Sequence, residues 1–166
     1  PLVVRMMSES SFLTRTGPMA SVAGAIAELV GRALLQESAE VIVENGGDLF
    51  ICLGREATVA IGAGSSVFSE RIGIRLRPCP GGMGVATSSA TVGHSYSAGG
   101  ADAVTVVAPS AAVADGMATY VGNRIRTADD VVPVKTELEG SPWVEGVVII
   151  TGKEMFAWGN IRLVSL

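Results

Sequence analysis

AVTVVAPSAAVADGMATYVGN, residues 103–123, is the stretch that decides the fold. Its first part, Ala103 to Ala108, is a short run of β-branched and small apolar residues, the signature of a buried strand. Pro109-Ser110 then breaks the strand and caps a helix over about Ala111 to Asn123. Upstream, Val85 to Ser97 is crowded with hydroxyls around the single histidine, His94, and Pro78 to Gly84 reads as a Pro/Gly loop. Arg71 to Arg77 alternates charged with apolar residues, so it predicts a half-solvated strand with Ile72, Ile74 and Leu76 turned inward.

Further out, Glu40 to Leu53 reads as strand, turn, strand. Asn45-Gly46-Gly47-Asp48 supplies the turn, because Asn and Gly accept positive φ. Gly54-Arg55-Glu56 turns again and Ala57 to Ile61 returns. A second helix is predicted from Pro18 to Leu35, opened by Thr16-Gly17-Pro18. Its stripe Ala20, Gly24, Ala27, Gly31 admits a close backbone neighbour, and Val22, Ile26, Leu29 and Val30 are the expected core contacts. Residues 1–16 have no clear period and read as a short helix, an arm or the remnant of a missing N-terminal segment. Downstream, Val147 to Thr151, Glu154 to Trp158 and Ile161 to Ser165 predict a terminal meander turned at Gly152-Lys153 and Gly159-Asn160. Short turns between many strands favour antiparallel pairing. The expectation is one α+β domain over residues 1–166, with helices packed on antiparallel sheet and a helix-plus-strands unit that occurs twice.

Composition narrows the function. The chain of 166 residues is 48% apolar and 17% charged, with a net charge of −4. That balance, without a Lys/Arg-rich run, speaks against nucleic-acid binding. No apolar stretch reaches the roughly 20 residues of a membrane span. Cys52 reads as a core residue and Cys79 lies between Pro78 and Pro80, so neither suggests a metal site or disulfide framework. The expectation is a cytoplasmic protein; because the chain opens at Pro1, upstream residues are expected to be missing.

Three clusters carry candidate chemistry. Asp115 and Thr119 stand four apart on one face of an apolar helix. A carboxylate there either holds a cation such as Mg²⁺ or is stabilised by nearby backbone N–H groups. Glu44-Asn45-Gly46-Gly47-Asp48 either lets a ligand approach the backbone or is a solvated hairpin turn. Gly81-Gly82-Met83-Gly84, followed by Thr87, Ser88, Ser89 and His94, offers amides and hydroxyls to a phosphate, although no Walker sequence is present. A hydrolase using Ser88 or Ser89 with His94 and Asp102 lacks the G-x-S-x-G elbow. Glu28 and Arg32 read as a surface ion pair.

These segments together resemble the ApbE-like superfamily, above all its uncharacterised prokaryotic branch. The resemblance rests on Gly17 to Glu28, Val43 to Asp48, Val85 to Ser89, and Thr105 to Ser110 running into Ala114 to Thr119. It implies a T-fold-like architecture. It also implies FAD or FMN with Mg²⁺, and transfer of FMN onto a Thr or Ser of a target protein. By that resemblance Asp115 and Thr119 hold the metal. Glu44, Asn45, Gly46, Gly47, Asp48, Thr87, Ser88 and Ser89 contact the flavin or another phosphate-bearing ligand, and His94 and Asp48 orient it or move protons. After His94 the chain reads Ser95-Tyr96-Ser97-Ala98 where the transferases carry Asp-Pro-x-Thr-Gly. The alternative is a non-catalytic accessory or assembly protein that keeps the fold, an oligomer such as a homodimer joined through edge strands or the small-residue helices.

Overall fold

The computed structural model describes residues 1–90 and 99–166. Its strands are β1 (Val41–Asn45), β2 (Asp48–Cys52), β3 (Ala57–Ala60), β4 (Ile72–Leu76), β5 (Met83–Ser88), β6 (Ala103–Ala108), β7 (Gly146–Thr151), β8 (Glu154–Gly159) and β9 (Arg162–Ser165). Its α-helices are α1 (Leu2–Thr14), α2 (Val22–Leu34), α3 (Ala111–Gly122) and α4 (Val131–Leu138). A six-stranded sheet runs β1-β2-β5-β6-β7-β8, and a three-stranded sheet runs β3-β4-β9. Every strand pair is antiparallel. The chain is an α+β protein, as its sequence leads one to expect.

β6 is apolar except at Thr105, whose hydroxyl pairs with that of Thr87. Its six residues are all buried, because the large sheet is covered on both faces. Val104, Val106 and Ala108 pack under α3 with Ala114, Met117 and Val121. Ala103 and Val107 face the other way, into a core shared with Ile74 and Leu76 of the small sheet. Burying each Val or Ile side chain is worth about 1.5–3 kcal/mol, so alternate positions of one strand hold the two layers together. Helices α2 and α3 lie on the same face; α2 packs on β1 and β2, and α3 on β5 and β6.

Several expectations are corrected. Of the readings of residues 1–16, the short helix holds and the arm does not: α1 packs on α3, where Gly116 leaves room for the oxygens of Ser10, Thr14 and Ser21. The buried Ser10 hydroxyl donates to Ala112 O at 2.8 Å and lies 2.8 Å from Ser21 Oγ, so these polar groups are satisfied. The helix expected from Pro18 opens as a 3₁₀ turn over Pro18–Ser21 and becomes α-helical at Val22. Ile26 and Val30 are exposed, and Gly24, Ala25, Ala27, Glu28 and Gly31 are buried in their place. The small face turns inward because a Cβ at Gly24 would lie 2.2 Å from Ala111 O, and one at Gly31 would strike the Phe50 ring. Neither β3 nor β9 continues the hairpin before it. Both cross to the second sheet and pair with β4, so the terminal meander closes only its β7–β8 turn. α4 was not foreseen. No helix among the described residues is long and apolar enough to cross a membrane.

Candidate functional site

The first acid of the site comes from the β1–β2 hairpin. Asn45 and Asp48 are its last paired residues. Gly46 and Gly47 take φ of 65° and 101°, in the region that side chains disfavour, which makes the two-residue turn possible. Asp48 lies on the same side of β2 as Phe50 and is only 7% exposed. That side faces the helices, since Phe50 packs with Ala27 of α2 and Ala111 of α3. Glu44 stays exposed and closes the turn, its Oε1 accepting from Gly47 N at 2.6 Å. Asn45 ties the hairpin to α2 by donating from Nδ2 to Ala23 O at 3.1 Å.

The second acid, Asp115, comes from the second turn of α3, whose N-terminus Ser110 caps by accepting from Val113 N. Asp115 is half-buried where α2 crosses α3. Its Oδ2 accepts from Gly24 N at 2.9 Å, a bond that the missing side chain at Gly24 permits.

The two carboxyls meet. Burial first, and then the neighbouring Asp115 charge, push Asp48 up to about 8, against a hydrogen bond from Thr87 N–H. Burial also raises Asp115, to about 6, against the Gly24 N–H and the hydrogen bond from Asp48. Burial and mutual repulsion together favour keeping one proton on the pair. Two carboxylates in a desolvated spot cannot both ionise without a positive partner.

The remaining candidates are distributed around this pair. Thr87 reaches Asp48 only through its backbone N–H, at 3.3 Å. Its hydroxyl turns to the opposite face of the sheet and lies 2.9 Å from Thr105 Oγ1. Strand alternation turns the half-buried Ser88 toward the helices, opposite Val104. Ser89 donates to Asp102 O at 2.6 Å, and the Asp102 carboxylate accepts from Gly152 N at 2.7 Å. Asp102 therefore serves the β7–β8 turn in this arrangement. Thr119 is half-buried one turn beyond Asp115 on the same face of α3. His94 lies outside the described residues.

Sequence reading missed two contributors. Gly24 supplies the donor to Asp115, and the small-residue stripe was its only signal. Glu28 is not on the surface: it is 3% exposed. Its Oε2 accepts from Ser110 Oγ at 2.6 Å and Ala111 N at 2.8 Å, while Oε1 meets Arg32. It locks α2 to the N-terminus of α3 beside the acid pair.

With this geometry established, comparison with known proteins places the chain. The family described as AbpE bacteria matches residues 1–139. The chain belongs to that ApbE-like family. The UPF0280 protein of Methanothermobacter thermautotrophicus is 43% identical over 170 residues, covering 99% of this chain and 66% of that protein. Among solved structures, the ApbE protein of Thermotoga maritima matches with a TM-score of 0.61 at 20% identity, over 85% of this chain and 50% of its own. The apo flavinyl transferase ApbE of Pseudomonas stutzeri matches with a TM-score of 0.55 at 19% identity, over 86% of this chain and 47% of its own. These two likenesses show the ApbE fold. The chain spans just under two thirds of the first relative and about half of each solved ApbE structure.

Proposed function

We propose that this ApbE-like chain binds a flavin, or another phosphate-bearing small molecule, together with a divalent cation at the Asp48–Asp115 pair. The observation that supports this reading is the meeting of two desolvated acids from separate elements, both held above the usual carboxylate range by burial. Perturbed, mutually coupled acids of this kind concentrate at functional sites. The donor set suits a small hard cation, because it offers carboxyl oxygens with the Thr119 hydroxyl one turn away. Among the described residues, no three His, Cys, Asp or Glu side chains converge as a metal-binding group. Water and ligand oxygens would complete the shell, as they commonly do for Mg²⁺.

In this reading the chain's residues have separate tasks. Asp115 and Asp48 hold the cation once their proton is released, and Gly24 N–H and Thr87 N–H fix the two carboxyls in place. The open backbone at Gly46 and Gly47, where a Cβ would meet nothing within 4 Å, lets a ligand approach the turn. When bound, the cation neutralises negative charge on a pyrophosphate. Transfer of FMN would join the oxygen of an acceptor Thr or Ser to the phosphorus of the FMN half. The pyrophosphate bridge would break, the adenylate half would leave, and the hydroxyl proton would pass to His94, or to Asp48 where Asp115 alone holds the cation. The flavinyl transferase named among the fold neighbours lends this chemistry its support.

Isothermal calorimetry with MgCl₂ and FAD tests the proposal. The wild type is expected to give saturable FAD heat that requires Mg²⁺, and Asp115→Ala is expected to abolish it. Absence of heat from either ligand in the folded wild type would remove the binding reading and favour an accessory role.

A further inference from the structure

A second polar cluster lies away from the acid pair, on the small sheet. Arg75 of β4 and Arg162 of β9 are direct cross-strand partners. Like charges placed directly opposite in an antiparallel ladder are destabilising, so this register needs compensation. Arg77 follows two residues along the same strand face. Two acids answer part of the charge: Glu56 lies 3.3 Å from Arg75, and Glu145 lies 2.9 Å from Arg77. Arg162 has no carboxylate partner among the described residues. The Nε of Arg75 is buried and has no hydrogen-bond acceptor, an unusual state for a guanidinium donor. All three arginines border one cavity of about 190 Å³, which Glu56 and Glu145 also line beside the apolar Met83 and Val107, so Arg162 carries its uncompensated positive charge.

We propose that this cavity is a binding site for the phosphate group of a small molecule, held by Arg75, Arg77 and Arg162. The three arginines come from β4, from the residue after it and from β9, so they border the cavity from neighbouring strands. A tetrahedral oxyanion accepts from several directions at once, whereas a carboxylate offers only two oxygens. The volume falls below the roughly 300–1,000 Å³ typical of pockets for drug-sized ligands. It suits a phosphate with a short attachment and not a whole flavin dinucleotide. The site shares no residue with the acid pair and does not depend on the function proposed for it.

Thermal unfolding in increasing inorganic phosphate, at constant ionic strength and with a chelator present, tests this assignment. Wild type is expected to gain a saturable rise in Tm that acetate does not reproduce. Arg162→Gln is expected to weaken the phosphate response at least tenfold while unfolding, without phosphate, at the same or a higher temperature, because the like-charge pair is gone. Arg162→Lys, which keeps the charge but loses the planar fork, should fall between them. The proposal is overturned if the wild type shows no saturable response, if acetate matches phosphate, or if Arg162→Gln responds like the wild type. It is equally overturned if Arg162→Gln unfolds at a lower temperature without phosphate, since the arginine would then be structural.

Discussion

Two acidic sites lie against α3, less than two helical turns apart, and they are built in opposite ways. At the N-terminus, Glu28 is surrounded by donors: a hydroxyl, backbone N–H groups and the Arg32 guanidinium. Further along, Asp48 receives one backbone N–H, from Thr87, and Asp115 receives those of Gly24 and, more weakly, Ala23, with no cationic side chain on either. The first arrangement completes the fold. The second favours keeping a proton, and it is there that we propose a cation binds. Burial alone does not distinguish a structural acid from a functional one; the supply of donors does.

The contrast predicts effects of different size and sign. The largest belongs to Glu28. Glu28→Ala strands Ser110 and the first N–H groups of α3 and frees Arg32, so urea unfolding should show a loss of about 3–5 kcal/mol. Loss below about 1 kcal/mol would mean that the helix junction does not depend on this carboxylate.

Asp48→Asn should act in the other direction. The folded pKa of Asp48, about 8, stands above its ordinary 3.8. Below pH 4 both folded and unfolded chains hold the proton, and the stability it confers is fully present. As pH rises, the unfolded chain ionises first, and that stability drains away until the folded group ionises near pH 8. The wild type should therefore lose on the order of a few kcal/mol across this window. Asp48→Asn should flatten the slope and exceed the wild type at pH 8 by about 1–3 kcal/mol. Denaturant midpoints at several pH values measure both.

How far the sequence could be read follows from the same contrast. The strand–Pro–Ser–helix of residues 103–123, the Asn-Gly-Gly-Asp hairpin and the small-residue stripe all use local rules of turn chemistry and periodicity, and each stands where it was expected. Asp48 and Asp115 could be named one at a time, yet nothing local announces that residues 67 positions apart come together. Glu28 was misread for a related reason: its i,i+4 spacing to Arg32 looks the same on a surface as at a helix junction. The strand exchanges of β3 and β9 were hidden because turn residues set a reversal without naming the strand that will be paired. On α2, hydrophobicity pointed to Ile26 and Val30, but close approach of two backbones selected the small face instead.

That last correction gives the smallest predicted effect. Ile26→Gln, on the exposed side of α2, should alter unfolding free energy by less than about 0.5 kcal/mol. A loss of about 2 kcal/mol or more would show that this face is covered.

The acid pair is tested most directly by NMR titration of the Asp48 and Asp115 side-chain carboxyl carbons between pH 4 and 9, with and without MgCl₂. Without the metal, Asp48 is expected to ionise near pH 8 and Asp115 near pH 6; with it, both should ionise at lower pH. Two ordinary titrations near pH 4, unmoved by MgCl₂, would contradict the account.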